Sequence, residues 1–128
     1  MVLIFGGAYQ GKLDYTLERF GRSKDDVHFC NDTDTDMPKG KTVVYEIDKW
    51  MLAMIKKNAD ATESIKQFIT ENPDAIVICN DISGGIVPID ATFRKWREAV
   101  GRAMGQLAQN SGEVVRLFCG IPTILKSI

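Results

Sequence analysis

A lysine preceded by spaced glycines is the first feature of this sequence that could do chemistry. Gly6-Gly7-Ala8-Tyr9-Gln10-Gly11-Lys12 follows the pattern GxxxxGK. Glycines let successive backbone N–H groups turn inward around a phosphate. The start of a following helix adds a favourable dipole, and the lysine ammonium reaches the terminal phosphates. The spacing points to a nucleotide-binding loop made of Gly6, Gly7, Ala8, Tyr9, Gln10, Gly11, Lys12 and Leu13, with Lys12 acting on the transferred group. One position departs from the pattern. A Ser or Thr hydroxyl that ligates Mg²⁺ is expected after the lysine, and this chain has Leu13. Thr16 stands a turn further along the helix, and Asp14 could compensate only through water.

Such a loop works only between a buried strand and a helix, and the flanks read that way. Val2 to Phe5 is a short uninterrupted apolar run, as in a strand covered on both faces. Leu13, Leu17 and Phe20 recur at helical spacing, with Gly21 as the stop. Val27 to Cys30 is a weak short strand, and Asn31 to Gly40 is a polar, acidic loop. Thr42 to Ile47 is rich in strand formers. A helix from about Asp48 to Lys57 follows, with Asp48 read as its cap and Trp50, Met51, Met54 and Ile55 as its apolar face. Asp60 caps a second helix reaching about Glu71, striped by Ile65, Phe68 and Ile69. Ala75 to Cys79 is the clearest buried strand, and Asn80 to Pro88 is a Gly-rich loop at its carboxyl end. A long helix spans about Ala91 to Gln109, Val114 to Cys119 is a strand, and Pro122 to Ile128 reads as a tail.

Strands therefore alternate with helices, which implies an α/β fold with a parallel sheet of about five strands. Ligands of such sheets bind beyond the carboxyl ends of the strands. Three loops fall there: the glycine loop, the residues after Ile47, and the loop beginning at Asn80.

The 128 residues are 45% hydrophobic and 26% charged, with a net charge of −1. That composition fits a single domain over residues 1–128 and argues against wholesale disorder. A near-neutral balance does not predict a broad nucleic-acid or membrane surface. No apolar run approaches the roughly 20 residues of a membrane helix. The opening residues lack the basic region of a secretory signal. Cys30, Cys79 and Cys119 are widely spaced, and His28 is the sole histidine. Neither a zinc site nor a disulfide framework is expected; the cysteines read as buried free thiols of a cytoplasmic protein.

Several stretches together resemble the adenosylcobinamide kinase / adenosylcobinamide-phosphate guanylyltransferase family. Val2 to Lys12 resembles its opening strand and GGxxxGKS loop. Val77-Ile78-Cys79-Asn80-Asp81-Ile82-Ser83-Gly84-Gly85-Ile86-Val87-Pro88 resembles its VTNEVGxGIVP segment. Trp96 to Arg102 with Gln106-Leu107-Ala108 resembles its FRDxxGRxNQxLA helix. Glu113 to Leu117 and Gly120 to Lys126 resemble its last strand and GxPxxLK tail. The resemblance implies a three-layer domain like those of P-loop nucleotidases, a cytoplasmic homo-oligomer, and the substrates ATP or GTP with Mg²⁺ and a corrinoid. It implies two reactions: phosphorylation of the adenosylcobinamide hydroxyl, then transfer of GMP to that phosphate through a guanylylated histidine. It also assigns residues. Glu46 matches the acid that ends a central strand, where it could hold Mg²⁺ or take the hydroxyl proton. Asp81 stands for the glutamate of NEVG. Asn80, Gly84, Gly85 and Pro88 shape the pocket loop.

The sequence departs from the family in two further places. The helical segment carrying the guanylylated histidine is missing; about Asn31 to Lys41 stands in its place, without histidine or arginine. This counts against guanylyl transfer. Met104 and Gly105 replace the Asn-Gln pair of the long helix. Gly101 and Gly105 predict close packing of another helix or a neighbouring subunit there, and Arg94, Arg97 and Arg102 read as a solvated face. The alternatives are a catalytically impaired protein that keeps a nucleotide or corrinoid pocket, or an enzyme acting on a different acceptor.

Overall fold

The computed structural model describes residues 1–9, 11–82 and 90–127. Strand β1 (Val2–Gly6) lies between β4 (Ile76–Asn80) and β5 (Glu113–Phe118), parallel to both. β3 (Val43–Tyr45) runs parallel beside β4, and β2 (Val27–Phe29) lies parallel outside β3. β6 (Ile121–Lys126) closes the other edge antiparallel to β5, giving the order β2-β3-β4-β1-β5-β6. The expected tail is thus a sixth strand. The turn that allows it is Cys119-Gly120, both left-handed at φ 51° and 75°.

Four helices connect these strands: α1 (Lys12–Phe20), α2 (Ile47–Lys56), α3 (Ala61–Glu71) and α4 (Ala91–Gln109). Their ends follow local chemistry. Gly21 ends α1 at φ 63°, its N–H bonding the Leu17 carbonyl. The Asp60 carboxylate accepts from Glu63 N at 3.0 Å, and Asp90 accepts from Thr92 N at 2.7 Å. Each satisfies a backbone donor that a helix start leaves unpaired.

Alternation along the strands divides the core into two. Leu3, Val44, Val77, Cys79 and Val114 face one side, where they meet α2, α3 and α4 through Trp50, Met51, Ile65, Phe68 and Leu107. Ile4, Val43, Ile76, Ile78 and Val115 face the other, where Leu13, Leu17 and Phe20 of α1 cover them. Period two in the strands and 3.6 in the helices make these layers fit.

Several expectations need correction. The strand predicted to Ile47 ends at Tyr45, because Glu46 turns left-handed and Ile47 already begins α2. Asp48 is therefore inside the helix and does not cap it. Cys30 and Cys79 are buried, whereas Cys119 sits exposed in the β5–β6 turn. A Cβ at Gly101 or Gly105 would touch nothing within 4 Å among the described residues, so none of the described helices packs against them. Trp50 is buried and Trp96 half-buried. Large exposed apolar side chains gather at the end of β5 and on β6, as Phe118, Ile121, Ile124 and Leu125. No helix among the described residues is long and apolar enough to cross a membrane.

Candidate functional site

The carboxyl ends of β1, β3 and β4 converge on one cavity of about 790 Å³. Parallel pairing brings them level: Gly6 is in register with Asn80, and the Asp81 N–H donates to the Gly6 carbonyl at 2.8 Å. The cavity is walled by Ala8, Tyr9, Gly11, Lys12, Leu13 and Asp14 from the glycine loop and α1. Tyr45, Glu46, Asp48 and Lys49 come from the β3–α2 junction; Asn80, Asp81 and Ile82 from the end of β4; Trp96 from α4. Of the residues assigned from the sequence, Gln10, Gly84, Gly85 and Pro88 lie outside the described residues. Gly6 and Gly7 form the loop's stem without lining the cavity. A side chain at Gly6 would collide with the Leu117 carbonyl oxygen of β5, so only glycine fits between these strands.

Helix α1 starts at Lys12 because Gly11 supplies the left-handed turn into it, at φ 80°. Lys12 is 4% exposed and its ammonium donates to the Gly7 carbonyl at 2.5 Å, folding back across the loop. Burial lowers its pKa, while the charges of Asp48 and Glu46 act the other way. Leu13 packs against the α1-side core as well as lining the cavity, so the residue in the hydroxyl position is a packing residue. The Thr16 hydroxyl is turned into the helix, donating to the Lys12 carbonyl at 2.7 Å. It offers the cavity nothing.

Opposite Lys12, three polar side chains hold one another. The Asn80 side-chain amide donates to Glu46 Oε2 at 2.8 Å and to Asp48 Oδ2 at 3.2 Å, and the Asn80 backbone N–H donates to Asp48 Oδ1 at 3.0 Å. Asp48 is 1% exposed. Burial raises its pKa, and the Asn80 hydrogen bonds oppose that by favouring the carboxylate. The indole N–H of Trp96 donates to the Asp48 carbonyl at 2.7 Å, tying α4 to the first turn of α2. The Lys49 ammonium lies 3.1 Å from Glu46 Oε1. Glu46 itself is left-handed at φ 59°, ψ 54°, a conformation that costs a non-glycine residue about 1–2 kcal/mol. Strained backbone of this kind gathers at functional sites.

Of the residues singled out in the sequence, Lys12, Glu46, Asn80 and Asp81 come together at this cavity, and Asp48, read there as a cap, joins Glu46 to Asn80. Tyr45, Lys49 and Trp96 were not singled out as site residues. One signal was available: neighbouring parallel strands ending at Tyr45 and Asn80 must bring the residues just after them together. His28 sits half-buried on β2, in register with Val44, and is not among the cavity's lining residues.

The donor set was tested against Mg²⁺. Position 13 has no oxygen, Thr16 is turned away, and both Glu46 oxygens and both Asp48 oxygens already accept from protein donors. Among the described residues no group of three or more His, Cys, Asp or Glu side chains is placed to hold a metal ion. Asp14 and Asp81 line the same cavity, and a magnesium ion carried mainly by substrate phosphates and water would need only one or two such carboxylates.

A mostly parallel sheet with helices on both faces and a polar cavity at its carboxyl end defines the class, a three-layer α/β domain. Residues 35–125 match the model of the cobinamide kinase / cobinamide phosphate guanyltransferase family, and the chain belongs to that family. The matched span holds the Glu46–Asp48–Asn80 cluster and begins after the glycine loop. None of the curated proteins matches the chain.

Proposed function

We propose that the chain binds a nucleoside triphosphate at the Gly6–Lys12 loop and transfers its terminal phosphoryl group to the hydroxyl of a cobinamide-type acceptor. The observation that carries this reading is Lys12: a buried lysine at a helix start, bent over a glycine loop, facing an organised acidic cluster across one cavity. The loop amides and Lys12 hold the terminal phosphates. The acceptor oxygen attacks the terminal phosphorus, the bond from that phosphorus to the bridging oxygen breaks, and the nucleoside diphosphate leaves. The hydroxyl proton passes to Asp81 or Glu46, the two carboxylates at the ends of β4 and β3. Such transfer is mostly positioning and charge stabilisation, which a small domain can supply.

Guanylyl transfer is not part of the proposal. It needs a nucleophile beside the bound phosphates, and the described lining residues include no histidine or cysteine. A second reading is favoured by Leu13 and by the fully engaged acids: a protein that holds nucleotide or corrinoid without turnover. The two separate in one assay. Cobinamide, ATP or GTP and the protein are incubated, and the corrinoid is examined by mass spectrometry. A gain of one phosphoryl group that disappears in Lys12→Ala supports the kinase. A ligand-induced rise in melting temperature without product supports the binding protein. Product formed equally well by Lys12→Ala removes the loop from the mechanism.

A further inference from the structure

We propose that Phe29 and Tyr45 form a stacking platform for the ring body of the acceptor, which lies outside the cavity at the β2 edge while its hydroxyl arm reaches in to Glu46. The inference rests on the acceptor reading above. Among the described residues, the large exposed apolar side chains away from β5 and β6 are Tyr9, Phe29 and Phe93, and each of them borders the cavity. Tyr9 lines it from the glycine loop, fully exposed and left-handed at φ 60°. Phe29 touches Tyr45 and Phe93 touches Trp96, and both of those partners are lining residues. Exposed apolar residues scattered singly are ordinary; rings gathered at the mouth of a polar cavity mark a binding surface.

Volume narrows what these rings can hold. The cavity of about 790 Å³ is the size of a pocket for one ligand, commonly about 300–1,000 Å³. A nucleoside triphosphate fills much of it. A corrin macrocycle is a flat ring system far larger than a nucleobase and does not fit beside the triphosphate, so its body must rest on the rim. The β2 side of the rim offers the room, because β2 is an edge strand of the sheet. Phe29 stands there in register with Tyr45, at the carboxyl ends of both strands, so the two side chains share one face. The Cys30 N–H donates to the Tyr45 carbonyl at 3.1 Å and fixes the strand ends together. The rings meet edge to face, with centroids 5.7 Å apart and planes at 77°, an arrangement that aromatic pairs prefer. Tyr45 is half-buried and holds its place, while Phe29 is 48% exposed and open to a ligand. Glu46 follows Tyr45 directly, so a ring resting on the platform has its arm within reach of that carboxylate. The opposite pair is committed elsewhere. The Trp96 indole N–H is spent on the Asp48 carbonyl, and its ring packs against the core beneath α4.

Equilibrium dialysis of cobinamide, read by its visible absorbance, and calorimetric titration of ATP test this on the wild type, Phe29→Ala, Phe29→Leu, Phe29→Tyr, Phe93→Ala and Lys12→Ala. Phe29→Ala is expected to weaken cobinamide binding about tenfold, the scale of one lost stacking contact, and to change ATP affinity by less than about twofold. Phe29→Tyr keeps the ring and the affinity. Phe29→Leu keeps apolar bulk without a flat face and falls between. Phe93→Ala binds cobinamide like the wild type. Because Phe29 is exposed, its variants are expected to fold, and melting curves check that. Unchanged cobinamide affinity in Phe29→Ala, or in Phe29→Leu should the alanine variant not fold, overturns the inference. So does an equal loss of ATP affinity, or a larger loss of cobinamide in Phe93→Ala. In each of these cases ATP binding that depends on Lys12 leaves the nucleotide reading standing. A wild type that binds ATP through Lys12 but binds no cobinamide removes the acceptor from that reading and the platform with it. ATP binding indifferent to Lys12 removes the loop from the mechanism, and cobinamide binding that still needs the Phe29 ring then supports the platform by itself.

Discussion

The two faces of the sheet are built on different scales. On one, α2, α3 and α4 bury Trp50, Met51, Ile65, Phe68 and Leu107 against the strands, several of them completely. On the other, the nine residues of α1 supply Leu13, Leu17 and Phe20, all of them only partly buried. The stability of the domain resides mainly in the first face, and Lys12 rides on the second. The face that carries the proposed phosphate loop is the thinner one, held by modest apolar contact and by an Arg19–Glu113 ion pair at its far end. Phosphate-facing groups need backbone left open to a ligand, and a helix packed on every side could not offer it.

The largest test of this contrast lies in the thick face. Phe68→Ala is expected to cost about 3–5 kcal/mol in chemical denaturation, as deletion of a buried aromatic ring does. A loss below about 1 kcal/mol would mean that this face is not the principal core.

Asp48 comes next, because it sits where the thick face meets the cavity. Asp48→Asn keeps one acceptor for the Asn80 backbone and sets an amide against the Asn80 amide, with an expected cost of about 1–3 kcal/mol. The pH dependence has a definite sign. The folded-state pKa of Asp48 is raised above the ordinary 3.8, burial being the largest cause. Its contribution to stability is thus full below pH 3.8 and is lost as pH rises through the raised folded value. The stability gap between wild type and Asp48→Asn should be widest in acid and narrow upward. A gap that widened with pH would show the ionised carboxylate to be the better-held form.

On the thin face, Leu13→Ser restores the pattern's hydroxyl and removes partly buried apolar surface. The expected cost is about 1–2 kcal/mol, less than for Phe68→Ala. Should the two substitutions cost the same, the contrast between the faces fails. A stronger Mg²⁺ dependence of nucleotide binding in this variant than in the wild type would sharpen it, by assigning that difference to the side chain of residue 13.

The smallest effect is chemical. Burial pushes the Cys30 thiol up to about 12 and the Cys79 thiol well above its ordinary range, so neither supplies much thiolate. Cys119 is exposed in the β5–β6 turn. A thiol reagent at neutral pH should modify Cys119 fast and the other two only on unfolding. Rapid labelling of Cys30, under the β3–α2 junction, would show that the thick face opens more readily than its packing implies.

Much of the fold was legible because it rests on local signals: apolar runs for β1, β3 and β4, the stripe of Ile65, Phe68 and Ile69 in α3, glycine at the end of α1, and Asp60 before α3. The parts that were not legible depend on partners distant in sequence. Pro122 to Lys126 looks like a tail until β5 lies beside it, since pairing and not burial makes it a strand; all six residues of β6 are exposed. The spacing of Gly101 and Gly105 implied a neighbour that the described residues do not provide. Lys12 stood out because GxxxxGK is a contiguous pattern. Asp48 was misread as a cap because that role is the local default, and its partner, Asn80, lies 32 residues away.

Glu46 stands in a backbone conformation that glycine would adopt at lower cost, and its side chain is held by Asn80 and Lys49. Replacing it by glycine releases about 1 kcal/mol of backbone strain while giving up a partly exposed ion pair of similar or smaller worth. In a library selected only for folding, position 46 would therefore drift toward glycine and asparagine. In one selected for the proposed phosphoryl transfer it would return to glutamate. The divergence between those two enrichment profiles, position by position, would map where this chain gives up stability for chemistry.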